Sequence, residues 1–453
     1  MTIDLTHRVL AEPTEYNDYL KAAVGAASWI ESLAVERDGN LFWAGIPGTP
    51  TTTTECSLYY GSAGIVLFFV ELFRATHQAR YLRLARSAAS GLLSCAERHD
   101  DDTLSWRFAS SRETSNPGLY MGGAGVALSF LELYEATDED EYLLLAKRAA
   151  LGVHPQRMSG AGWNGETDIL SGAAGVGLML IRVGSVLQDE RLLQVARGAG
   201  DYLMAAGLFR AGRASARVSS ASPDSRMYPN FAHGTAGMAF FLATLFEATR
   251  ERTYLDASLH AARWLTKHRR KLKQGSAWYH HYPDGTDLFY AGWCNGPAGT
   301  ARLFYLLGKL TGDEAWLDEL QGCALRLRDI GIFRRRLRGL WNVGMCCGIA
   351  GIGDFFAGMY SAFPDETHRR WALACADCLI QIASAGSPGL KWIQAEHRAH
   401  PRSRWAQPGY GQGAAGIGVF LLRAANLGTP EFNVRLRLPD DPFPRAAIEC
   451  PIV

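Results

Sequence analysis

Apolar positions in this chain come in runs, and each run begins at the same small motif. Gly61-Ser-Ala-Gly64 opens the mostly apolar stretch Ile65 to Phe73, and the same grammar recurs at Gly122 to Gly125, Gly172 to Gly175, Gly234 to Gly237, Gly296 to Gly299, Gly348 to Gly351 and Gly413 to Gly416. A helix apolar on every side belongs inside a large core, and small residues at i and i+3 let its first turn pack closely on a neighbour. After a polar turn comes a second helical pattern with a single apolar stripe. Its marker is Tyr81-Leu82, Tyr142-Leu143, Arg191-Leu192, Tyr254-Leu255 or Trp316-Leu317, and that leucine stands 20 or 21 residues after the first glycine of its unit. The first five units are therefore helical hairpins of one geometry.

The sixth unit keeps the pattern loosely over Arg369 to Ile382, and the seventh offers one helix, Ala414 to Asn426, before a proline-rich tail from Pro430 to Pro451. Its missing partner lies at the other end of the chain. The run from Tyr19-Leu20 to Trp29 closely resembles the run from Tyr81-Leu82 to Gly91. An N-terminal helix of that kind completes the seventh hairpin and closes a ring, which removes the two exposed ends that an open array must cap. Polar connections such as His99 to Pro117, Ala211 to Pro229 and Ala395 to Gly411 run into the glycine steps, which places them at one mouth of the ring with Gly160 to Gly165 and the turn at Pro283.

Composition narrows the reading. With 48% hydrophobic and 20% charged residues the chain can build a large core, and a net charge of +1 points to neither nucleic acid nor a membrane surface as the main partner. No stretch approaches the length of a membrane-spanning helix, and Met1 to Pro13 lacks the apolar core of an export signal, so a cytoplasmic protein is expected. Nine cysteines in such a chain favour reduced thiols and metal ligation over a disulfide framework.

Two of the steps carry thiols in register. Ala291-Gly-Trp-Cys-Asn-Gly-Pro-Ala-Gly299 and Val343-Gly-Met-Cys-Cys-Gly-Ile-Ala-Gly351 place Cys294 and Cys346 at equivalent points, with Cys347 next to the second. Three soft ligands suit zinc, and three protein ligands leave a fourth position for water or substrate. The residues just before each first glycine are Tyr60, Met121, Ser171, His233, Asn295, Cys347 and Gln412, and they converge if the steps meet at a central cavity. Zinc in a thiolate-rich site activates a further thiol for attack on an electron-poor double bond. The enolate so formed needs a proton, which His233 has the pKa range to supply, with Asp168 placed to orient it.

Taken together, the seven steps, Trp293-Cys294-x-Gly296, Cys346-Cys347-Gly348 and Ala232-His233-Gly234 resemble the LanC-like lanthipeptide cyclases over essentially the whole chain. The resemblance implies an all-α fold, an α/α toroid of seven hairpins forming one domain over residues 1–453, with zinc held by Cys294, Cys346 and Cys347. It matches His233 and Asp168 to the family's acid–base histidine and active-site aspartate. The implied reaction adds cysteine thiols to dehydroalanine or dehydrobutyrine of a dehydrated precursor peptide, giving lanthionine or methyllanthionine. A companion dehydratase, or a kinase and lyase, is an expected partner. Cys-Cys-Gly resembles the cyclase domains of class II synthetases, whereas Met1 and the chain length suggest a stand-alone enzyme. Asn295 departs from the Tyr or His often found there, and the preceding Asp287-Leu-Phe-Tyr290 lacks a frequent arginine.

Other readings remain open at this stage. The same zinc could serve addition of glutathione to dehydroamino-acid peptides, or a non-catalytic scaffold that recruits a peptide or a dehydratase. A toroidal glycan hydrolase would need paired carboxylates, and only Asp168 lies near the convergent positions. Cys375-Ala-Asp-Cys378 is read as one packed helix face, and His280-His281 as lining of the mouth. The basic runs from His268 to Lys273 and from Arg334 to Arg338 are solvated faces or a dock for an acidic leader peptide, and Arg398, Arg402 and Arg404, with Trp392 and Trp405, are expected to form part of the mouth.

Overall fold

Each glycine step opens a helix. The computed structural model describes residues 16–45, 55–108, 116–153, 163, 166–205, 209–210, 213–214, 226–271, 275–330, 342–385, 388–394, 405–427 and 434–445. The outer helices are α1 (Tyr16–Ser32), α3 (Ala79–Ser94), α5 (Asp140–Gly152), α7 (Glu190–Ala205), α9 (Arg252–His268), α11 (Glu314–Asp329) and α13 (Glu366–Ile382). The inner ones are α2 (Ser62–Thr76), α4 (Gly123–Thr137), α6 (Ala173–Leu187), α8 (Thr235–Thr249), α10 (Pro297–Thr311), α12 (Ile349–Ala362) and α14 (Ala414–Asn426). Each inner helix packs on the outer helix that follows it, and α14 packs on α1, so the ends of the chain close an α/α toroid as the repeat predicts. The apolar inner helices are buried almost throughout, while the outer ones bury only one stripe.

The second glycine of each step fixes the packing. A Cβ on Gly299 would lie 1.9 Å from the Trp293 carbonyl oxygen and 2.7 Å from Phe231 Cβ of the preceding unit. No side chain fits there, and Gly64 meets Leu58 and Tyr410 in the same way where the last unit joins the first.

Backbone hydrogen bonds then stitch the units into a ring just above the helix starts. Tyr59 N donates to Tyr120 O, Tyr120 N to Leu170 O, Ile169 N to Ala232 O, Ala232 N to Cys294 O, Cys294 N to Cys346 O, Cys346 N to Gly411 O, and Gly411 N back to Tyr59 O. All are 2.8 to 3.1 Å long. The one slip, from Leu170 to Ile169, falls in the unit that carries Asp168.

The sequence does not announce two further devices. Short antiparallel ladders follow several outer helices: β1 (Val35–Arg37) with β2 (Asn40–Phe42), β3 (Glu97–Arg98) with β4 (Leu104–Ser105), β5 (Phe209–Arg210) with β6 (Arg213–Ala214), and β7 (Arg270–Lys271) with β8 (Ser276–Ala277). Later in the chain β9 (Ser384–Ala385) pairs with β10 (Leu390–Lys391), and β11 (Ile393–Gln394) with β12 (Trp405–Ala406). Just past β2, β4, β8 and β10, buried Trp43, Trp106, Trp278 and Trp392 donate Nε1–H to the carbonyls of Ile30, Leu92, Leu265 and Leu379 at 2.8 to 2.9 Å. Each adds a side-chain donor to a carbonyl in the last turn of an outer helix and so ties the ladder back to that helix.

The second device is the tail. Val434, Leu436, Leu438 and Phe443 are buried and fill the toroid beneath the hydrogen-bonded ring. Phe443 sits against Tyr305 of α10 and Phe355 of α12. Asp440 receives hydrogen bonds from Tyr120 Oη, Trp293 Nε1 and Arg302 Nη1, while Asp354, Arg423, Asp441 and Arg445 complete a buried ion network. The cavity left among these groups is about 30 Å³, room for one water, so the ring has a solid floor.

Candidate metal centre

The floor leaves the mouth as the open side, and the repeated steps present two layers of side chains to it. The lower layer, two residues before each first glycine, includes buried Cys294 and Cys346. The upper layer includes the half-buried Tyr60, Ser171, His233, Cys347 and Gln412, with Asn295 buried. Cys294 and Cys346 are neighbours because their main chains are adjacent members of the hydrogen-bonded ring. Cys347 then reaches across from the upper layer.

The three sulfurs meet. Cys294 Sγ lies 3.0 Å from Cys347 Sγ, Cys347 Sγ lies 3.5 Å from Cys346 Sγ, and all three fall within 4.8 Å of one another. Among the described residues this is the only group of three or more His, Cys, Asp or Glu side chains placed to hold a metal ion. Hydrogen bonds that the Cys346 S–H gives to Cys294 and Cys347, together with burial, push this thiol well above its ordinary range. Three sulfurs this close cannot all ionise unless a cation neutralises them, and a soft, tetrahedral ion such as zinc suits such a donor set. The residues present therefore fit the metal that the sequence implies.

Asp168 and His233 also come together. Asp168 sits in the turn before α6, where one oxygen accepts the main-chain N–H groups of Ser171 and Gly172 at 2.7 and 3.0 Å. That double hydrogen bond holds the carboxylate still. Its other oxygen is 2.7 Å from His233 Nδ1, so Nδ1 carries a proton and Nε2 is the nitrogen left to gain or lose one. Burial alone would lower the pKa of this imidazole. The hydrogen bond and charge of Asp168, with Cys347 nearby, outweigh it and hold the ring above the ordinary histidine value. Asp168 is 2% exposed and His233 32%, so the histidine is the member that a substrate can reach.

The remaining candidates take lesser places. Burial and the negative charge of Cys346 and Cys347 push the Tyr60 hydroxyl up to about 12, which keeps it protonated and makes it wall rather than base. His280 and His281 bond each other at 2.6 Å, and His281 reaches Asp284 at 3.0 Å, so they form a rim cluster apart from the thiols. Cys375 is buried against Gly353, as a packed helix face requires. Sequence reasoning did not single out Tyr59 or Gln394, both of which bond Gln412 beside the sulfurs. Residues 160–162, Arg334 to Arg338, Arg398, Arg402, Arg404 and Cys450 lie outside the described residues.

A family model described as "Lanthionine synthetase C-like protein" matches residues 52–434, and the chain belongs to that family. Among solved structures it is similar to one titled "Nisin cyclase", with a TM-score of 0.62 and 15% identity over 94% of this chain and 98% of that one. That likeness supports the toroid. A glycoside hydrolase family 76 mannosidase from Bacteroides thetaiotaomicron follows at a TM-score of 0.49 and 12% identity, covering 90% of this chain and 98% of that one. No curated protein matches by sequence. No helix among the described residues is long and apolar enough to cross a membrane.

Proposed function

We propose that the protein is a zinc-dependent lanthipeptide cyclase, adding cysteine thiols of a dehydrated precursor peptide to its dehydroalanine or dehydrobutyrine residues. The observation that carries this reading is the meeting of Cys294, Cys346 and Cys347 on the same ring that presents His233. Cys294, Cys346 and Cys347 would hold the zinc, which supplies the Lewis acidity that keeps an incoming peptide thiol ionised near neutral pH.

The protein's own groups manage the rest. The peptide enters from the mouth, because the tail closes the other side. As the sulfur–Cβ bond forms, the carbon–carbon π bond breaks and its electrons move onto the enolate. His233 Nε2 delivers the proton that Cα then takes, while the proton lost by the peptide thiol returns to the imidazole or to solvent. Asp168 fixes the tautomer and steadies the imidazolium. Asn295 Oδ1, next in the chain to Cys294, is buried without a hydrogen-bond partner among the described residues.

Cyclisation leaves the peptide mass unchanged, so the test is alkylation of remaining thiols followed by mass spectrometry. Zinc-loaded protein should protect the cysteines of a dehydrated precursor from alkylation. Full alkylation at the rate seen without protein would refute the reading. A dehydrated peptide lacking cysteine, supplied with glutathione, separates ring closure from intermolecular addition.

A further inference from the structure

Beside the thiols runs a chain of amides whose direction is fixed from one end. The main-chain N–H of Val343 can only donate, and it points at Gln394 Oε1 at 3.4 Å. Gln394 Nε2 must then face outward, and it donates to Gln412 Oε1 at 2.8 Å and to Asn342 Oδ1. With its oxygen so occupied, Gln412 turns its Nε2 to the site. There it meets Tyr59 Oη at 2.8 Å and Cys347 Sγ at 3.6 Å. An amide has two N–H bonds, so both contacts can be made at once.

Cys347 thus has an amide donor aimed at it, and that aim depends on the orientation of a single glutamine. Three thiolates on one divalent cation carry an excess negative charge, and hydrogen bonds to sulfur are the available means of dispersing it.

We infer that Gln412 is a positioning residue for the metal centre, its N–H held toward Cys347 by Gln394 so that the relay withdraws charge from that sulfur. This inference rests on the reading of the three cysteines as metal ligands. It predicts that Gln394, which touches no cysteine, controls that ligand from a distance. In Gln394→Glu one carboxylate oxygen still accepts Val343 N–H, but the other repels Gln412 Oε1. The Gln412 amide then flips, its oxygen faces Cys347, and the N–H donor to that sulfur is lost.

The experiment loads cobalt(II) into the unaltered protein, Gln394→Glu and Gln412→Met, and records the thiolate-to-cobalt charge-transfer band at one ion per chain. Losing donors makes a thiolate easier to oxidise, so both variants should shift the band to lower energy. A fluorescent chelator should report zinc affinity weaker by about 10- to 100-fold. Circular dichroism and thermal melting check that each variant is folded; a purely structural role for Gln412 would lower the melting temperature and leave the band in place. A band present in the unaltered protein and unmoved in both folded variants overturns the relay alone. If the unaltered protein gives no such band, the metal-ligand reading fails first and the relay with it.

Discussion

Two buried polar clusters lie on either side of the hydrogen-bonded ring, and they are built on opposite principles. Below it, Asp440 has three donors, and the charges of Asp354, Arg423, Asp441 and Arg445 are paired within about one side-chain length of each other. Above it, three sulfurs crowd together and, among the described residues, the Asn295 oxygen has no partner and His233 keeps one nitrogen open. The lower cluster pairs its charges within the protein, although Arg302 Nε and Arg423 Nη2 have no hydrogen-bond partner among the described residues. The upper one leaves crowded thiols and an open imidazole nitrogen, and that contrast favours it as the proposed working site even though both clusters are rich in ionisable groups.

The contrast breaks most sharply at Cys347. Cys347→Ala removes a proposed ligand and should abolish zinc uptake and thioether formation while helicity stays intact, as zinc analysis, thiol alkylation and circular dichroism will report. His233→Ala should keep the metal but slow cyclisation by about 10²- to 10⁴-fold. Asp168→Asn is the subtler companion. It removes what raises the His233 pKa and leaves burial, so the imidazole loses its proton at lower pH. If His233 acts as the acid, the alkaline fall of the pH–rate profile should move to lower pH in Asp168→Asn. An unmoved profile would detach the histidine from the rate.

Below the ring the signs reverse. Arg302→Met leaves Asp440 without its cation, while Asp354 keeps Arg423, and should cost roughly 3–5 kcal/mol, measured by denaturant unfolding. Zinc per chain should stay unchanged. Lost zinc in a folded Arg302→Met protein would mean that the two clusters are one.

What the sequence discloses follows the same division between local and distant causes. The hairpins are legible because Gly299 and its six counterparts answer a steric demand that recurs at the same point of every unit. Cys294, Cys346, Cys347 and His233 are legible for the same reason: register alone puts them on neighbouring or near-neighbouring spokes. Asp168 stands two positions out of that register, and its pairing with His233 uses the slip between Ile169 and Leu170. The tail is illegible. Val434, Leu436 and Leu438 alternate with exposed Arg435 and Arg437 and look like a polar extension, and only the hollow of a closed toroid gives them something to bury against. Gln394 is hidden likewise, since no repeat connects it to Gln412 and they meet only when β11 is folded against the ring.

Tyr120 sharpens the comparison with the smallest change, because it belongs to both regions. Its carbonyl accepts from Tyr59 N in the ring, while its hydroxyl donates to Asp440 at 3.0 Å. Tyr120→Phe keeps the ring bond and removes only the donor, leaving Asp440 with Trp293 and Arg302. The loss should be about 1 kcal/mol at pH 7, with cyclisation unchanged. Its pH dependence has a definite sign. Burial raises the Asp440 pKa against the opposing charge of Arg302, and losing a donor to the carboxylate raises it further. A group whose folded pKa lies above its unfolded value destabilises the fold once pH exceeds that folded pKa, and has no such effect below the unfolded value near 4, about the usual aspartate figure. The deficit of Tyr120→Phe should therefore be full at neutral pH and fade as the medium is acidified through the Asp440 pKa toward pH 4. A deficit that persists unchanged into acid would show that the hydroxyl acts by packing rather than by supporting the charge.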